Sequence, residues 1–86
     1  MYRIEYTRSA DKTISKLPSS VRSAIIKRVQ ALGNDPRPRG AIKLTGSEDE
    51  WRIRIGDYRV VYVIDDGVLT VLVVRVGHRS DIYRGR

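Results

Sequence analysis

One segment of twelve residues, 51–62, constrains the fold more than any other part of the chain. Apolar and basic side chains alternate strictly over Trp51–Ile55, which is the period of a strand with one buried face. The pair Gly56-Asp57 then predicts a hairpin turn, because glycine readily adopts the positive φ that a type II′ turn requires. Residues 58–62 complete the hairpin as its second strand. This pattern predicts a hairpin with one apolar and one basic face.

The register of this hairpin brings like charges together. If Gly56-Asp57 is the whole loop, Arg54 lies directly opposite Arg59, and Arg52 shares their exposed face. Like charges opposite each other on a sheet are destabilising, so we expect an anion between these side chains. The alternative is that the guanidinium groups spread into water without a function. The buried face is predicted to carry Trp51, Ile53, Ile55, Val60 and Tyr62.

The composition limits the kind of function. The chain has 86 residues, which fits a single domain over 1–86, and 17 Lys and Arg against 10 Asp and Glu give a net charge of +7. A small, strongly basic domain usually binds a polyanion such as nucleic acid, or an acidic protein. The absence of cysteine excludes disulfides and thiolate zinc, and the single histidine, His78, does not favour a metal site. We therefore expect no metal and no cofactor.

The rest of the chain adds two helices and further strands. Alternation over Tyr2–Tyr6 predicts a first strand, and apolar stripes at helical spacing predict one helix ending near Pro18 and a second ending at Gly33. A run of β-branched residues over Val68–Val76 predicts the last strand. The order β-α-α-β-β-β predicts a small α+β domain in which an antiparallel sheet packs on an N-terminal helical hairpin.

Two further features of the sequence, the face on which Arg75 lies and the structure of the acidic segment, each allow two interpretations. If the turn before the last strand has three residues, Arg75 falls on the face of Arg59, and if it has two, Arg75 falls on the opposite face. The acidic segment Ser47–Glu50 is interpreted as a solvated turn in preference to a source of a catalytic carboxylate.

The sequence also indicates a location. Residues Met1–Glu5 contain no apolar stretch of the kind found in secretory signals, and no apolar run has the length of a membrane span. We expect a soluble cytoplasmic protein that does not enter a membrane.

Short motifs follow one another across nearly the whole chain. They are Tyr6–Ala10 with Lys16–Pro18, Lys43–Gly46, Trp51–Arg54, Tyr58–Tyr62, and Arg75–Arg79 with Asp81–Tyr83. In this order and spacing they resemble the RelE/ParE superfamily of bacterial and archaeal toxins from toxin–antitoxin systems. RelE-type ribonucleases and ParE-type gyrase poisons share this scaffold, so the resemblance alone does not choose between these branches.

The resemblance implies a set of catalytic residues. RelE-type members enter the ribosomal A site and cut messenger RNA there. Two basic residues that family members carry on the first hairpin strand match Arg52 and Arg54. In a well-studied member both of these positions are lysines. The arginine of the Tyr-Arg step matches Arg59. An arginine and a tyrosine of the C-terminal segment match Arg79 and Tyr83, although their spacing is shorter here.

This set suits RNA cleavage through the 2′-hydroxyl, which needs no metal and no protein nucleophile. Arginine binds phosphate well because it is planar, charged and bidentate, but it cannot accept a proton near neutral pH. His78 and Tyr83 are therefore the first candidates for proton transfer, and Glu50 is the next candidate. Tyr83 can equally stack on a base. We expect further RNA contacts from Lys43, Arg75, His78 and Arg84.

The resemblance also implies the partners. They are a cognate antitoxin, in a toxin–antitoxin hetero-oligomer, and the ribosome carrying mRNA, with contacts to ribosomal RNA in the A site. The main interpretation is a ribosome-dependent endoribonuclease. The alternatives are a ParE-like inhibitor of DNA gyrase without nuclease activity and a non-catalytic RNA-binding member.

Overall fold

A computed structural model describes residues 1–46 and 49–78, which form two helices and five strands. In chain order the elements are β1 (Arg3–Tyr6), α1 (Arg8–Ser15), α2 (Ser19–Ala31), β2 (Ile42–Lys43), β3 (Glu50–Ile55), β4 (Tyr58–Asp65) and β5 (Thr70–His78).

The strands form one sheet in the order β1-β5-β4-β3-β2. The predicted α+β domain with a helical hairpin is confirmed, with two differences. The two-residue strand β2 adds an edge beside β3, and β1 pairs with β5 in parallel, whereas all other pairs are antiparallel. The chain between β1 and β5 contains both helices and three strands, so it is long enough for the crossover that parallel neighbours require.

The ends of the helices tie them to the sheet. Thr7 caps α1, since its Oγ1 accepts a hydrogen bond from the Ala10 amide at 3.1 Å and also donates to the Val74 carbonyl at 3.2 Å. After α2, the Gly33 carbonyl accepts a hydrogen bond from the Tyr2 amide at 2.7 Å. A Cβ at Gly33 would lie 3.0 Å from the Tyr2 carbonyl, so this close approach of α2 to β1 favours glycine.

The hydrophobic core lies between the helices and one face of the sheet. Its buried residues are Ala10, Ile14, Ile25, Val29, Leu32, Ile53, Val60, Tyr62, Ile64, Val71, Val73 and Val76. Tyr62 is fully buried, and its hydroxyl donates a hydrogen bond to the Pro36 carbonyl at 2.7 Å. Burial raises the pKa of the Tyr62 hydroxyl to about 12, so it remains a neutral donor over the physiological range.

The last strand begins later than the sequence indicates. The prediction of a strand from Val68 is wrong, because Val68 and Leu69 belong to the turn and β5 begins at Thr70. Leu69 has φ +52, a left-handed conformation that cannot continue a strand. Both turn side chains are exposed, so their apolar character contributes to the predicted strand pattern without contributing to the core.

Candidate functional site

The predicted register of the central hairpin is confirmed. Gly56-Asp57 forms the turn, Arg54 lies opposite Arg59, and Arg52 lies opposite Val61. Because Ile53, Val60 and Tyr62 point into the core, these positions lie on the sheet face turned away from the helices. We call this surface the arginine face and define it by Arg52, Arg54, Arg59, Val61 and Arg75.

A β-bulge places Arg75 on the arginine face. Val61 pairs with Arg75, but its neighbour Tyr62 pairs with Val73, so Val74 is an extra residue in β5. Arg75 and Arg52 therefore flank Val61 from the two neighbouring strands. Of the two placements that the sequence allows for Arg75, the structure has the one beside Arg59.

Arg59 differs from the prediction in one respect. It lies on the predicted face, but only 9% of it is exposed, so it is buried instead of open to solvent. Its Nε and Nη1 atoms are buried and have no hydrogen-bond partner in the part of the chain that the structure describes. The Nε of Arg52 is also buried and has no hydrogen-bond partner among the described residues, although Arg52 makes another interaction.

A buried guanidinium with two unsatisfied nitrogens is costly, because those N–H groups have left water without gaining hydrogen bonds. Such groups are rare in folded proteins, and each calls for an explanation. The position of Arg59 opposite Arg54 adds repulsion of like charges. A bound anion would relieve both costs, so the arrangement favours an oxyanion such as a phosphate at this point of the sheet.

Glu50 is a functional candidate that sequence reasoning underrated. The prediction of a solvated turn is wrong for Glu50, which is the first residue of β3, is partly buried and lies 4.0 Å from Arg75 across the sheet (Oε1 to Nη2). The alternation contains a signal for this placement, since Glu50 has the same parity as Arg52 and Arg54. The neighbouring acidic residues concealed that signal by giving the whole segment the appearance of a loop.

Several predicted site residues are not brought to the arginine face. Lys43 is paired with Trp51 and His78 with Tyr58, so both lie on the helix side of the sheet by register. The His78 and Tyr58 rings meet edge to face, with centroids 5.6 Å apart. The predicted residues Arg79, Tyr83 and Arg84 lie outside the described residues, as do Ser47 and Glu48.

A second basic surface lies on α1. A shallow cleft of about 480 Å³ is lined by Arg8, Ser9, Lys12, Thr13 and Lys16. Its three cations are spaced four residues apart, so they follow one side of the helix. Because α1 packs on the helix side of the sheet, this cleft is separate from the arginine face.

The described residues set two further limits on the site. Residues 1–46 and 49–78 contain no group of three His, Cys, Asp or Glu side chains arranged to hold a metal ion. Neither described helix has the length and apolar composition needed to cross a membrane.

Comparison with known proteins identifies the family to which the chain is similar. The family model described as "ParE toxin of type II toxin-antitoxin system, parDE" matches residues 4–83. The toxin RelG of Mycobacterium tuberculosis is 33% identical over 84 residues, covering 96% of this chain and 97% of RelG. The mRNA interferase toxin RelE of Escherichia coli K12 is 34% identical over 86 residues, covering 95% of this chain and 90% of RelE.

Solved structures agree with these relatives. The isolated E. coli RelE toxin superposes with a TM-score of 0.82 at 32% identity, covering 96% of this chain and 92% of that one. The toxin chain matched in the intact E. coli RelBE toxin–antitoxin complex gives a TM-score of 0.81 at 31% identity, covering 91% of this chain and 96% of that one. The chain therefore belongs to the ParE toxin family of type II toxin–antitoxin systems, and within the RelE/ParE superfamily it is a RelE-type toxin.

Proposed function

We propose that this toxin is a ribosome-dependent endoribonuclease that cuts mRNA in the A site through attack by the RNA's own 2′-hydroxyl, without a metal. The observation that carries the proposal is Arg59, a buried guanidinium whose Nε and Nη1 lack hydrogen-bond partners among the described residues. A relative that is 34% identical is named an mRNA interferase, which supports the same reaction class.

The arginine face suits the transition state of this reaction. Attack by the 2′-oxygen gives a pentacoordinate phosphorus whose non-bridging oxygens gain negative charge. Arg59 and its cross-strand neighbour Arg54 present guanidinium groups from rigid strands, and such pre-placed donors stabilise developing charge more than they strengthen binding. Arg52 and Arg75 extend the positive surface along the backbone of the RNA. Arg79 and Tyr83 stay in the proposed catalytic set on the ground of family resemblance.

An antitoxin is the proposed partner outside the ribosome. Structural neighbours of this chain include complexes of RelE with RelB from E. coli and Pyrococcus horikoshii. We expect a cognate antitoxin to bind this toxin in a hetero-oligomer and to supply acidic side chains to its basic surface, given the net charge of +7.

The test is Arg59→Ala, assayed for mRNA cleavage on programmed ribosomes. Cleavage should fall by about 100- to 1,000-fold, the usual loss when one donor to a developing oxyanion is removed. Arg59→Lys should recover only part of the rate, because an ammonium cannot make the bidentate contact. Arg59→Ala should melt no lower than the wild type, since it removes the repulsion with Arg54, and a melting curve of Arg59→Lys establishes that this variant is folded.

Arg28→Ala is the matched control, because Arg28 is an exposed arginine of α2 away from the arginine face. It should cut mRNA at the wild-type rate. Cleavage at the wild-type rate by a folded Arg59→Ala protein would remove the catalytic role of Arg59. Growth arrest without mRNA cleavage, with DNA replication stopping before protein synthesis, would instead support the gyrase alternative that the family description allows.

A further inference from the structure

The proposed reaction needs a proton acceptor that the cations of the arginine face cannot provide. The described cations that define that face are all arginines, namely Arg52, Arg54, Arg59 and Arg75. Arginine stays protonated in proteins, so it binds the phosphate but does not remove the proton of the attacking 2′-hydroxyl. His78 and Lys43, which could accept a proton, lie on the helix side of the sheet by register.

Three carboxylates of the described residues occupy strand positions on the same side of the sheet as the arginines: Glu5, Glu50 and Asp65. Glu5 lies on the edge strand β1 and is paired with Arg3 at 3.2 Å. Asp65 accepts hydrogen bonds from the amides of Gly67 and Val68 at 2.9 and 3.1 Å, so it shapes the turn before β5. Of these three carboxylates, Glu50 is the one on β3, the strand that carries Arg52 and Arg54.

Glu50 lies on the arginine side of the sheet, on the strand that also carries Arg52 and Arg54. It is two residues before Arg52 on β3 and opposite Val63, which makes it a diagonal neighbour of Val61. Its carboxylate extends across the sheet to Arg75, at 4.0 Å. Val61 is only 3% exposed, so the charged side chains around it cover an apolar floor.

We propose that Glu50 is the general base of the cleavage reaction, an inference that rests on the proposed function. Its carboxylate takes the proton of the 2′-hydroxyl while the 2′-oxygen forms a bond to the adjacent phosphorus. The bond between phosphorus and the 5′-oxygen breaks, and the leaving 5′-oxygen takes a proton from water. The products are a 2′,3′-cyclic phosphate and a 5′-hydroxyl, and Glu50 returns its proton to water. Arg59 and Arg54 bind the non-bridging oxygens throughout.

The test is Glu50→Gln, which keeps the shape of the side chain and its ability to accept a hydrogen bond from Arg75, but not the ability to take a proton. Single-turnover cleavage on programmed ribosomes should fall by about 100- to 10,000-fold, the range for loss of a general base. Affinity is measured separately on ribosomes with an mRNA that carries a 2′-deoxynucleotide at the cleavage position and cannot be cut. It should be unchanged or tighter, because the substitution removes a negative charge from an RNA-binding surface.

The matched control is Glu5→Gln, which makes the same change of charge on the same side of the sheet at its β1 edge. It should cut at the wild-type rate, and melting curves of both variants establish that they are folded. A Glu50→Gln protein that cuts as fast as the wild type would overturn the assignment of the base. A parallel loss of rate and affinity would also overturn it, because it would show that Glu50 only holds Arg75 in place. A wild-type protein that cuts no mRNA would instead refute the proposed function itself.

Discussion

The two faces of the β3–β4 hairpin differ in what their residues contribute. On the helix side, Ile53, Val60 and Tyr62 are at most 1% exposed, and they join the helices in one core. On the arginine face, Arg54 and Arg59 confront each other with like charges, and Arg59 is buried without hydrogen bonds from its Nε or Nη1 among the described residues. Alternate residues of the same two strands thus provide stability on one face and unsatisfied hydrogen-bond donors on the other.

If the faces are separable in this way, substitutions on the helix side should change stability alone. Ile53→Ala should lower the free energy of unfolding by about 2–5 kcal/mol, because Ile53 is 1% exposed and the core cannot fully collapse around the cavity. Denaturant melts measure this loss. Ile42→Ala is the control, since Ile42 is 49% exposed at the sheet edge and should cost less than about 0.5 kcal/mol. A loss of cleavage rate per folded Ile53→Ala molecule would show that the two faces are coupled.

Tyr62→Phe tests a polar group within the buried face. It should cost about 1–3 kcal/mol, because the buried Pro36 carbonyl loses the hydrogen bond that the hydroxyl donates at 2.7 Å. The variant also tests a pH effect. The pKa of Tyr62 is raised from 10.0 to about 12 by burial, so the folded state holds this proton more tightly than the unfolded state does.

The stability that Tyr62 contributes is therefore present below pH 10 and is lost as the pH rises toward about 12. The difference in unfolding free energy between wild type and Tyr62→Phe should shrink over that window. A difference that stays constant with pH would mean that the hydroxyl ionises as easily in the folded protein as in the unfolded chain.

Arg54→Glu should produce the smallest change in stability, and this change should be an increase. An opposite charge across from Arg59 replaces a repulsive pair by an attractive one, so stability should rise by about 0.2–1 kcal/mol. The same change should abolish RNA binding at the arginine face, because the new carboxylate forms an ion pair with the Arg59 guanidinium and repels phosphate. A salt titration of binding and a melting curve measure the two effects. Equal or lower stability would indicate that Arg54 and Arg59 do not repel each other in the free protein.

The hairpin register could be predicted because it is determined by residues that are close to one another in the sequence. Strict alternation and a glycine-containing turn of two residues fix which side chains meet. The start of α1 is local as well, since the Thr7 side chain accepts a hydrogen bond from an amide only three residues later. These features depend on residues that are close in sequence.

The remaining site features depend on contacts between distant residues. The bulge at Val74 that places Arg75 involves a carbonyl that accepts a hydrogen bond from Thr7, 67 positions away in the sequence. The burial of Arg59 depends on packing around the whole sheet, and a pattern of alternation does not report how deeply a side chain is covered. The parallel pairing of β1 with β5 is likewise invisible to local patterns.

The position of β5 has a consequence for how the protein is made. This strand is synthesised after all the other described elements, yet it lies between β1 and β4 within the sheet. Until it emerges from the ribosome, β1 has no strand to pair with, and the apolar stripes of α1 and α2 lack Val71, Val73 and Val76 as packing partners. A nascent chain that stops before Thr70 is therefore an open substrate for proteases, and the toxin acquires its folded surface late in its own translation.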